Sequence, residues 1–535
     1  MKNNKFVKGA FVLIIFNLIG KVMGAFYRIP LAKIVGSVGM GQYQLVFPLY
    51  CLVLTIATSG IPVAMSKLVA GFNSQNRFND SKRLLKTSIV LLTVLSAIGS
   101  ATVVFGARFF AGLQGNVNNT ICFYGIAPAV FFVGLLSAFR GYFQGNLIMF
   151  PTAFSGLVEQ VLKMVLGLFL ANSFLEFGTE YAVFGALLGI SISELVSVLF
   201  LSIFYLFYSL KNKKVCNLQP DTYKNLSRQL LSLSVPITLG GLISPITTMV
   251  DSLIVVNLLM FSGFSNEAST MMLGLQSGVV EPLVNIPVII AVSVSIVLLP
   301  SISDVSAEKS QEKIKNIIEK AYQITLSISI ACFVCFVIFG KQILSFLYGG
   351  SLDVFELQTA MKLLFVGGLN IVFLALVQVT ASALQGLGNA KFPVKTLFIG
   401  CVIKILLDLI FVSVKSINIM GASIAGGVCY FTVFLLNYRK IKELTKASIV
   451  DSCFYISIQE CFVCLFAFVV NVLMRMVFSD FVSLLISGVV AVSVFFVTYF
   501  VFFMSNKNDE DFLSENKLTW KSWLFLLKYT YEYFY

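Results

Sequence analysis

Two basic residues, Lys21 and Arg28, lie in the first long apolar stretch of this sequence. A charge inside a membrane span costs on the order of 3 kcal/mol or more, so it normally faces water or a partner. Their spacing of seven residues places both on one face of a helix. On a hydrated surface they are suited to hold an anion such as a pyrophosphate. The alternative is that Arg28 extends to the outer interface, as long basic side chains do at helix ends.

Two further pairs combine opposite charges four residues apart, Glu159 with Lys163 and Lys404 with Asp408. At this spacing on a helix, the two side chains of a pair meet. The pairs fall in corresponding spans of two similar halves, so they are predicted to lie beside a shared cavity. Structural ion pairs between helices are the alternative.

Other isolated charges complete the set of candidate residues. Lys67 is a candidate for substrate binding, or a side chain that reaches the cytoplasmic interface. Glu194, Asp251 and Glu281 are expected to be lone intramembrane acids, and each is a candidate for binding a coupling cation. Glu159 and Asp408 share the two possible roles of ion coupling and structural pairing.

Proline and glycine interrupt the second and eighth spans at Pro48, Gly60, Pro62, Pro287 and Pro300. Proline removes a backbone donor and kinks a helix. Kinks at matching places in two halves are typical of the moving elements of a transporter. Ordinary structural kinks are the alternative.

The composition excludes a water-soluble enzyme that uses histidine. The chain of 535 residues is 58% hydrophobic and 12% charged, about half the charge of a soluble domain, and it contains no histidine. Cys332 with Cys335 and Cys461 with Cys464 have CxxC spacing, but they lie within apolar runs and are expected to be core residues. We expect no cofactor, no metal and no nucleic-acid partner.

Fourteen apolar runs are long enough to cross a membrane as helices. These runs are 9–27, 43–70, 87–110, 121–144, 150–175, 181–209, 233–259, 275–303, 321–346, 359–386, 392–415, 419–437, 450–475 and 480–504. By these bounds, the N-terminus, the even-numbered loops and the tail hold 25 of the 38 Lys and Arg residues, and the odd-numbered loops hold 2. The positive-inside rule therefore predicts a multi-pass protein of the cytoplasmic membrane with both termini in the cytoplasm.

The chain also repeats itself at an offset of about 240 residues. Gln144 and Lys163 are echoed by Gln385 and Lys404, with the same spacing of 19. Because each copy would contain six helices, the copies are predicted to be parallel repeats. The expected fold is all-α, with a six-helix lobe at 1–210, a second at 225–440, two further helices at 450–504, and a cytoplasmic tail at 505–535 that contains an interfacial helix.

Several short motifs resemble the stage V sporulation protein B branch of the bacterial oligosaccharide flippases. The motifs are GKVMG at 20–24, YRIPLA at 27–32, GMGQY at 39–43, GIPVAMSKLVA at 60–70, LPSIS at 299–303 and QGLG at 385–388. The resemblance covers essentially the whole chain, and the first seventy residues are its most specific part.

The resemblance implies two six-helix lobes, shared with multidrug exporters of the MATE type, and the movement of undecaprenyl-diphosphate-linked sugars by alternating access. Members of the related MurJ type use cavity arginines in helices one, two and eight. Here Lys21 occupies the first place and Arg28 lies near the second, helix two has no matching arginine, and Glu281 or Pro282 stands at the helix-eight place.

We therefore expect a transporter, not an enzyme, whose substrate is a lipid-linked oligosaccharide and whose other partners are membrane lipids. The substrate is lipid II or another cell-envelope glycan, and a monomer is the expected state. A cation-coupled exporter of small molecules is the first alternative, with a cavity dominated by acids. A polytopic glycosyltransferase or ligase is the second, and it would need a large extracytoplasmic domain that the short outward loops do not provide.

Overall fold

The computed structural model describes residues 2–58, 60–211, 221–307, 310–448 and 450–475, with the short pieces 482–483, 486–491 and 493–494. Regular structure in these ranges is entirely helical. The α-helices, numbered α1 to α15, are Lys2–Thr58, Ile61–Ser74, Phe78–Leu113, Thr120–Gly145, Met149–Phe174, Thr179–Lys211, Tyr223–Gly241, Ile243–Phe261, Asn266–Leu273, Glu281–Ala307, Gln311–Tyr348, Val354–Gly386, Lys391–Phe411, Met420–Thr445 and Val450–Arg475.

Nine helical stretches of the described residues are long and apolar enough to cross a membrane. Their outward surfaces carry large apolar side chains in contact with the surroundings, such as Phe105 at 87% exposure and Phe207 at 70%. Such side chains are stable there only if the solvent is lipid. The prediction of an all-α polytopic membrane protein is therefore confirmed.

The break predicted between the runs 9–27 and 43–70 is present, but it is a kink at one residue instead of a loop. Helix α1 continues from Lys2 to Thr58 and is interrupted only at Gly36, where φ is +68°. This left-handed conformation suits glycine, which has no Cβ to clash with the backbone. The first two predicted spans are thus the two arms of one kinked helix, and the second arm is extended by α2.

Three predicted spans are broken within their length. Gly60 separates α1 from α2, with Pro62 in the first turn of α2, and Leu242 separates α7 from α8. In the eighth span a π-helical segment, Gly274–Val280, joins α9 to α10. The irregularity there precedes Pro287, whereas α10 runs without a break from Glu281 to Ala307. The kink predicted at Pro287 stays a prediction.

The two halves of the chain repeat the same helix neighbours. In the first half α4 packs on α2, α3 and α6, and α5 packs on α6. In the second half α12 packs on α10, α11 and α14, and α13 packs on α14. These four contacts of one half have counterparts in the other, as the offset of about 240 residues predicts.

The glycines of the sequence repeat explain part of this correspondence. A Cβ on Gly145 at the end of α4 would collide with α2 near Val69, and a Cβ on Gly386 at the end of α12 would collide with α10 near Ile302. In both halves, glycine permits the same close approach of two helices. The lobe boundaries at 210 and 225 stay a prediction.

Both halves lie in one compact unit, Met1–Ser452, and Cys453–Tyr535 forms a second unit. Within the first unit, α1 packs against α8, α9 and the π-helical segment, and α7 packs against α2 and α3. The predicted span at 480–504 lies mostly outside the described residues, and the tail at 505–535 lies wholly outside them.

Candidate substrate cavity

A cavity of about 740 Å³ lies between the two halves, bounded by α1, α4 and α5 on one side and α10 on the other. Polar side chains are present on both walls. They are Arg28, Arg140, Gln144, Thr152, Glu159, Gln160, Lys163, Asn285 and Ser293. Tyr27, Tyr43 and Phe47 add aromatic rings near the Arg28 end. A polar cavity between two helical repeats is the place where transporters bind their substrates.

Arg28 lies on the cavity wall, which is where a cation that binds an anionic substrate must lie. Its Nη1 donates a hydrogen bond to the carbonyl oxygen of Ser277 over 3.0 Å, and its guanidinium lies 5.9 Å from the ring centre of Phe47. The side chain of Lys21 is outside the described residues. Its helical neighbours Gly20 and Gly24 both line the cavity.

Lys163 also faces the cavity, but its predicted pairing with Glu159 is wrong. Its Nζ lies 5.3 Å from the ring centre of Phe47 and 5.8 Å from that of Tyr27. The ammonium thus lies over two aromatic faces, which attract a cation through their quadrupole. It forms no ion pair with any residue that the structure describes, so its charge is available to an anionic ligand.

Glu159 is instead paired with Arg140, which the sequence analysis did not single out. The Nη2 of Arg140 on α4 lies 2.7 Å from the Oε2 of Glu159 on α5. The available signal was that Arg140 is a basic residue inside the apolar run 121–144, where a charge needs a partner. Glu194 on α6 lies beside this pair, 4% exposed, and interacts electrostatically with Glu159.

In the second half, the predicted pair of Lys404 and Asp408 is present at 2.8 Å. Asp251, expected to be a lone acid, also accepts from Lys404 Nζ over 2.5 Å. This prediction is wrong because α8 and α13 pack together and bring the two side chains into contact. None of the three residues is part of the cavity wall. Lys404 therefore forms its ion pairs within the second half.

Two other candidate residues lie away from the cavity wall. Lys67 is exposed on α2, and Glu281 stands at the start of α10. Glu281 interacts electrostatically with Arg28 on one side and with Lys404 and Asp251 on the other. It is therefore close enough to interact with both Arg28 and the charged group of the second half.

Some of the predicted kink residues lie where one helix ends and the next begins, and others lie within a helix. Pro48 lies inside the second arm of α1, and Gly60 and Pro62 mark the break before α2. Pro287 lies within α10. The side chain of Pro300 is outside the described residues.

The described cavity wall carries three cations, Arg28, Arg140 and Lys163, and one carboxylate, Glu159. Glu159 neutralises Arg140, so Arg28 and Lys163 leave the wall with a net positive charge. Both lie at the same end of the cavity, near Phe47. This end is suited to a compact anion, and the remainder offers hydroxyl and amide groups to a polar molecule.

The chain matches known proteins along most of its length. The family model described as polysaccharide biosynthesis protein matches residues 6–306, and the MatE model matches residues 276–410. Stage V sporulation protein B of Bacillus subtilis (strain 168) is 28% identical over 460 residues, 84% of this chain and 86% of the relative. Lipid II flippase MurJ of the same organism is 29% identical over 464 residues, 82% of this chain and 83% of the relative.

Solved structures with the same fold come from two kinds of transporter. A structure of lipid II flippase MurJ in an inward closed conformation superimposes with a TM-score of 0.66 at 18% identity, covering 94% of this chain and 99% of that one. An inward-facing multidrug resistance MATE family transporter of the MOP superfamily has a TM-score of 0.63 at 16% identity, covering 80% and 96%. The chain therefore belongs to the polysaccharide biosynthesis protein family and is a multi-pass membrane transporter, not an enzyme, with the fold that MurJ and the MATE transporters share.

Proposed function

We propose that this protein moves an undecaprenyl-diphosphate-linked oligosaccharide, lipid II or another cell-envelope glycan, across the cytoplasmic membrane by alternating access. The observation that carries the proposal is the pair of cations, Arg28 and Lys163, at one end of a polar cavity between the two halves. A diphosphate crossing the membrane needs such charges, because an unpaired charge in hydrocarbon is costly.

The remainder of the cavity is suited to the sugar of such a substrate. Gln144, Gln160 and Asn285 offer amide groups that both donate and accept hydrogen bonds. Sugar hydroxyls have the same dual character, so they exchange water for these groups at little cost. The polyprenyl chain stays in the lipid, since nothing in the mechanism requires it to enter the cavity.

The cavity is continuous toward Phe16 on α1 and Ile296 on α10. Both residues are on the side predicted to be cytoplasmic, and we propose that substrate enters from there. At the other end the halves are joined by contacts that include a hydrogen bond from Ser37 to Glu356. The substrate would leave when these contacts separate and those on the entry side form.

The balance of charge in the cavity favours this function over cation-coupled export of a small molecule. An exporter of cations would present unpaired acids to the cavity. Glu159 is bound to Arg140, and Asp251 is bound to Lys404 in the second half. The unpaired charges on the described wall are positive.

Reconstitution tests the proposal directly. The purified protein in liposomes should accelerate the transbilayer movement of fluorescent lipid II or an undecaprenyl-diphosphate disaccharide. Losing one charge-assisted hydrogen bond costs about 1.5–3 kcal/mol, so Arg28→Ala and Lys163→Ala should each slow movement roughly 10- to 100-fold. Lys21→Ala tests the third predicted cation in the same assay.

Lys67→Ala is the matched control, since it removes a lysine from the exposed face of α2 and should change the rate less than about twofold. Equal rates for native protein and for both cavity variants would overturn the site assignment. No acceleration by the native protein with any diphosphate-linked lipid would overturn the proposed function. Rescue of cells depleted of their lipid II flippase would identify lipid II as a substrate.

A further inference from the structure

One backbone carbonyl in the second half accepts two hydrogen bonds from the first half. The oxygen of Ser277 receives Arg28 Nη1 over 3.0 Å and Gln44 Nε2 over 2.5 Å. Both donors come from α1, one from each arm of the kinked helix. Ser277 lies in the π-helical segment Gly274–Val280, so these two bonds join the halves beside the cavity.

This carbonyl is available because its own helix cannot pair it. In the π-helical register each carbonyl bonds the N–H five residues ahead, and the N–H of Glu281 accordingly donates to Gln276. The next donor in this register would be residue 282, which is proline and has no N–H. An unpaired buried carbonyl is costly, so Ser277 oxygen needs an outside donor.

The same region closes one end of the cavity by direct backbone contact. A Cβ on Gly274 would fall on the carbonyl of Ser37, and a Cβ on Gly41 would fall on the carbonyl of Thr270. The π-helical segment and α9 thus lie against the kink of α1 without intervening side chains. We call this contact, made by Arg28 and residues 37–44 with residues 270–278, the closed end.

We propose that Arg28 is shared between the Ser277 carbonyl and the anionic headgroup, so that binding of the headgroup releases a contact of the closed end. The inference rests on the proposed function and adds to it a coupling step. With the cavity empty, Arg28 and Gln44 together hold the carbonyl. A diphosphate entering between Arg28 and Lys163 draws the guanidinium to itself and leaves Gln44 as the only outside donor.

The direction of this exchange follows from the strengths of the bonds. A guanidinium attracts an anionic phosphate oxygen through opposite charges on both partners, and it can bond a phosphate through two parallel N–H groups. The Ser277 carbonyl is neutral and takes only one of them. The headgroup therefore binds more tightly to the state in which the closed end has released Arg28, and a ligand shifts an equilibrium toward the state that it binds better.

Gln44 and Pro282 are positioning residues in this scheme. Gln44 is not part of the cavity wall, and it stabilises the closed end without offering charge to a ligand. Pro282 acts by lacking the N–H that would otherwise satisfy Ser277. Removing the Gln44 amide should favour opening of the closed end while it leaves Arg28 and Lys163 in place.

The experiment measures the distance across the closed end in the full chain. Spin labels at Val117→Cys and Val354→Cys report on it, because Val117 precedes Asn119, which bonds the Gln42 carbonyl, and Val354 precedes Glu356, which bonds Ser37. Both positions are exposed. The ten native cysteines are first replaced, and lipid movement by this background is checked against the native chain.

Undecaprenyl diphosphate is the lipid probe, and inorganic pyrophosphate distinguishes a need for the lipid from a need for the anion alone. In the native background the probe should shift the label pair to longer distances. Arg28→Gln should abolish the shift. Gln44→Leu should lengthen part of the distribution without probe and lower the half-saturating probe concentration about three- to tenfold, as expected for one neutral hydrogen bond.

Arg28→Lys keeps the charge but not the forked geometry, and it should restore part of the shift. An unchanged distance in the native background, with probe binding shown by thermal stabilisation, would overturn the exchange and leave the proposed function standing. A Gln44→Leu distribution identical to that of the background would also overturn it. Absence of probe binding to the native protein would count against the proposed function itself.

Discussion

The Arg140 guanidinium on α4 lies 2.7 Å from the Glu159 carboxylate on α5, so the only acid on the described cavity wall is already neutralised. Both side chains are partly exposed to the cavity, at 26% and 15%. The pair therefore fixes the wall between the two helices and keeps Glu159 from repelling an anion. This relationship determines the sign of the charge that a substrate meets.

Breaking the ion pair between Arg140 and Glu159 should raise the affinity for anions when the acid is removed and lower it when the arginine is removed. Glu159→Gln leaves Arg140 unpaired, and we expect undecaprenyl diphosphate to bind several-fold more tightly and to be released more slowly. Arg140→Gln frees Glu159 to attract Lys163, so binding should weaken at least tenfold. Equilibrium binding to the reconstituted protein measures both.

The exchanged double variant Arg140→Glu with Glu159→Arg serves as the control, since it keeps a pair of opposite charges across the same two helices. It should recover most of the stability lost in Arg140→Gln, with a coupling free energy of about 1–3 kcal/mol in a double-mutant cycle. A coupling free energy near zero would show that the two side chains do not act together.

Lys404 should be essential for the stability of the second half. It is 9% exposed and lies between two carboxylates, Asp251 and Asp408. Lys404→Met leaves the buried carboxylate of Asp408 and the partly exposed carboxylate of Asp251 without a counter-charge. Removing one partner of a buried pair costs about 3–5 kcal/mol. Thermal unfolding in detergent should show a large loss of stability.

The matched control is Lys67→Met, which removes an exposed lysine from α2 and should leave the unfolding temperature nearly unchanged. Lys404→Met combined with Asp251→Asn and Asp408→Asn should recover part of the loss, because the carboxylates no longer need a cation. Equal unfolding temperatures for Lys404→Met and Lys67→Met would contradict the assigned role.

The sequence predicted those features that depend on one stretch of chain. Hydropathy located the membrane spans, since twenty apolar residues suffice for a span whatever surrounds them. The pair of Lys404 and Asp408 was predictable because both residues lie on one helix, four positions apart. The two halves were predictable because Gln144 and Lys163 recur as Gln385 and Lys404 at one offset.

Features that depend on contacts between distant segments were not predictable. Glu159 has two cations within reach, and only the packing of α4 on α5 selects Arg140 over Lys163. Ser277 contributes a backbone carbonyl, which every residue has, so no residue type marks it. The hydropathy of residues 28–42 locates the break between the first two spans, but it does not distinguish a loop from the kink at Gly36 that the structure contains.

The start of α7 should loosen from the first half in acid. A hydrogen bond from the Asn225 side chain, followed by one from the Thr222 backbone and the charge of Arg77, holds the pKa of Asp221 below its ordinary value. A carboxyl with a lowered pKa in the folded state stabilises that state above its unfolded-state pKa, and the contribution is lost as the pH falls. We therefore expect faster amide exchange in the first turn of α7 at about pH 3 than at pH 7, after correction for intrinsic rates.

Asp221→Asn isolates this effect, since an amide does not titrate in this range. The corrected exchange of the first turn of α7 should then change less between the two pH values than it does in the native chain. An equal change in both proteins would place the pH-sensitive group at a residue other than Asp221.

Adding one methyl group at Gly41 should open the closed end. A Cβ at this position would fall on the Thr270 carbonyl in α9, where neither backbone can move without separating the halves. Gly71→Ala is the matched control, because a Cβ there has no neighbour within 4 Å. Overpacking of this kind costs about 1–3 kcal/mol, which destabilises the closed end but not the packing within each half.

Gly41→Ala should therefore lengthen the label distance between positions 117 and 354 without any ligand, with helix content unchanged by circular dichroism. A distance distribution equal to that of Gly71→Ala would mean that residues 37–44 and 270–278 are not the contact that closes this end of the cavity.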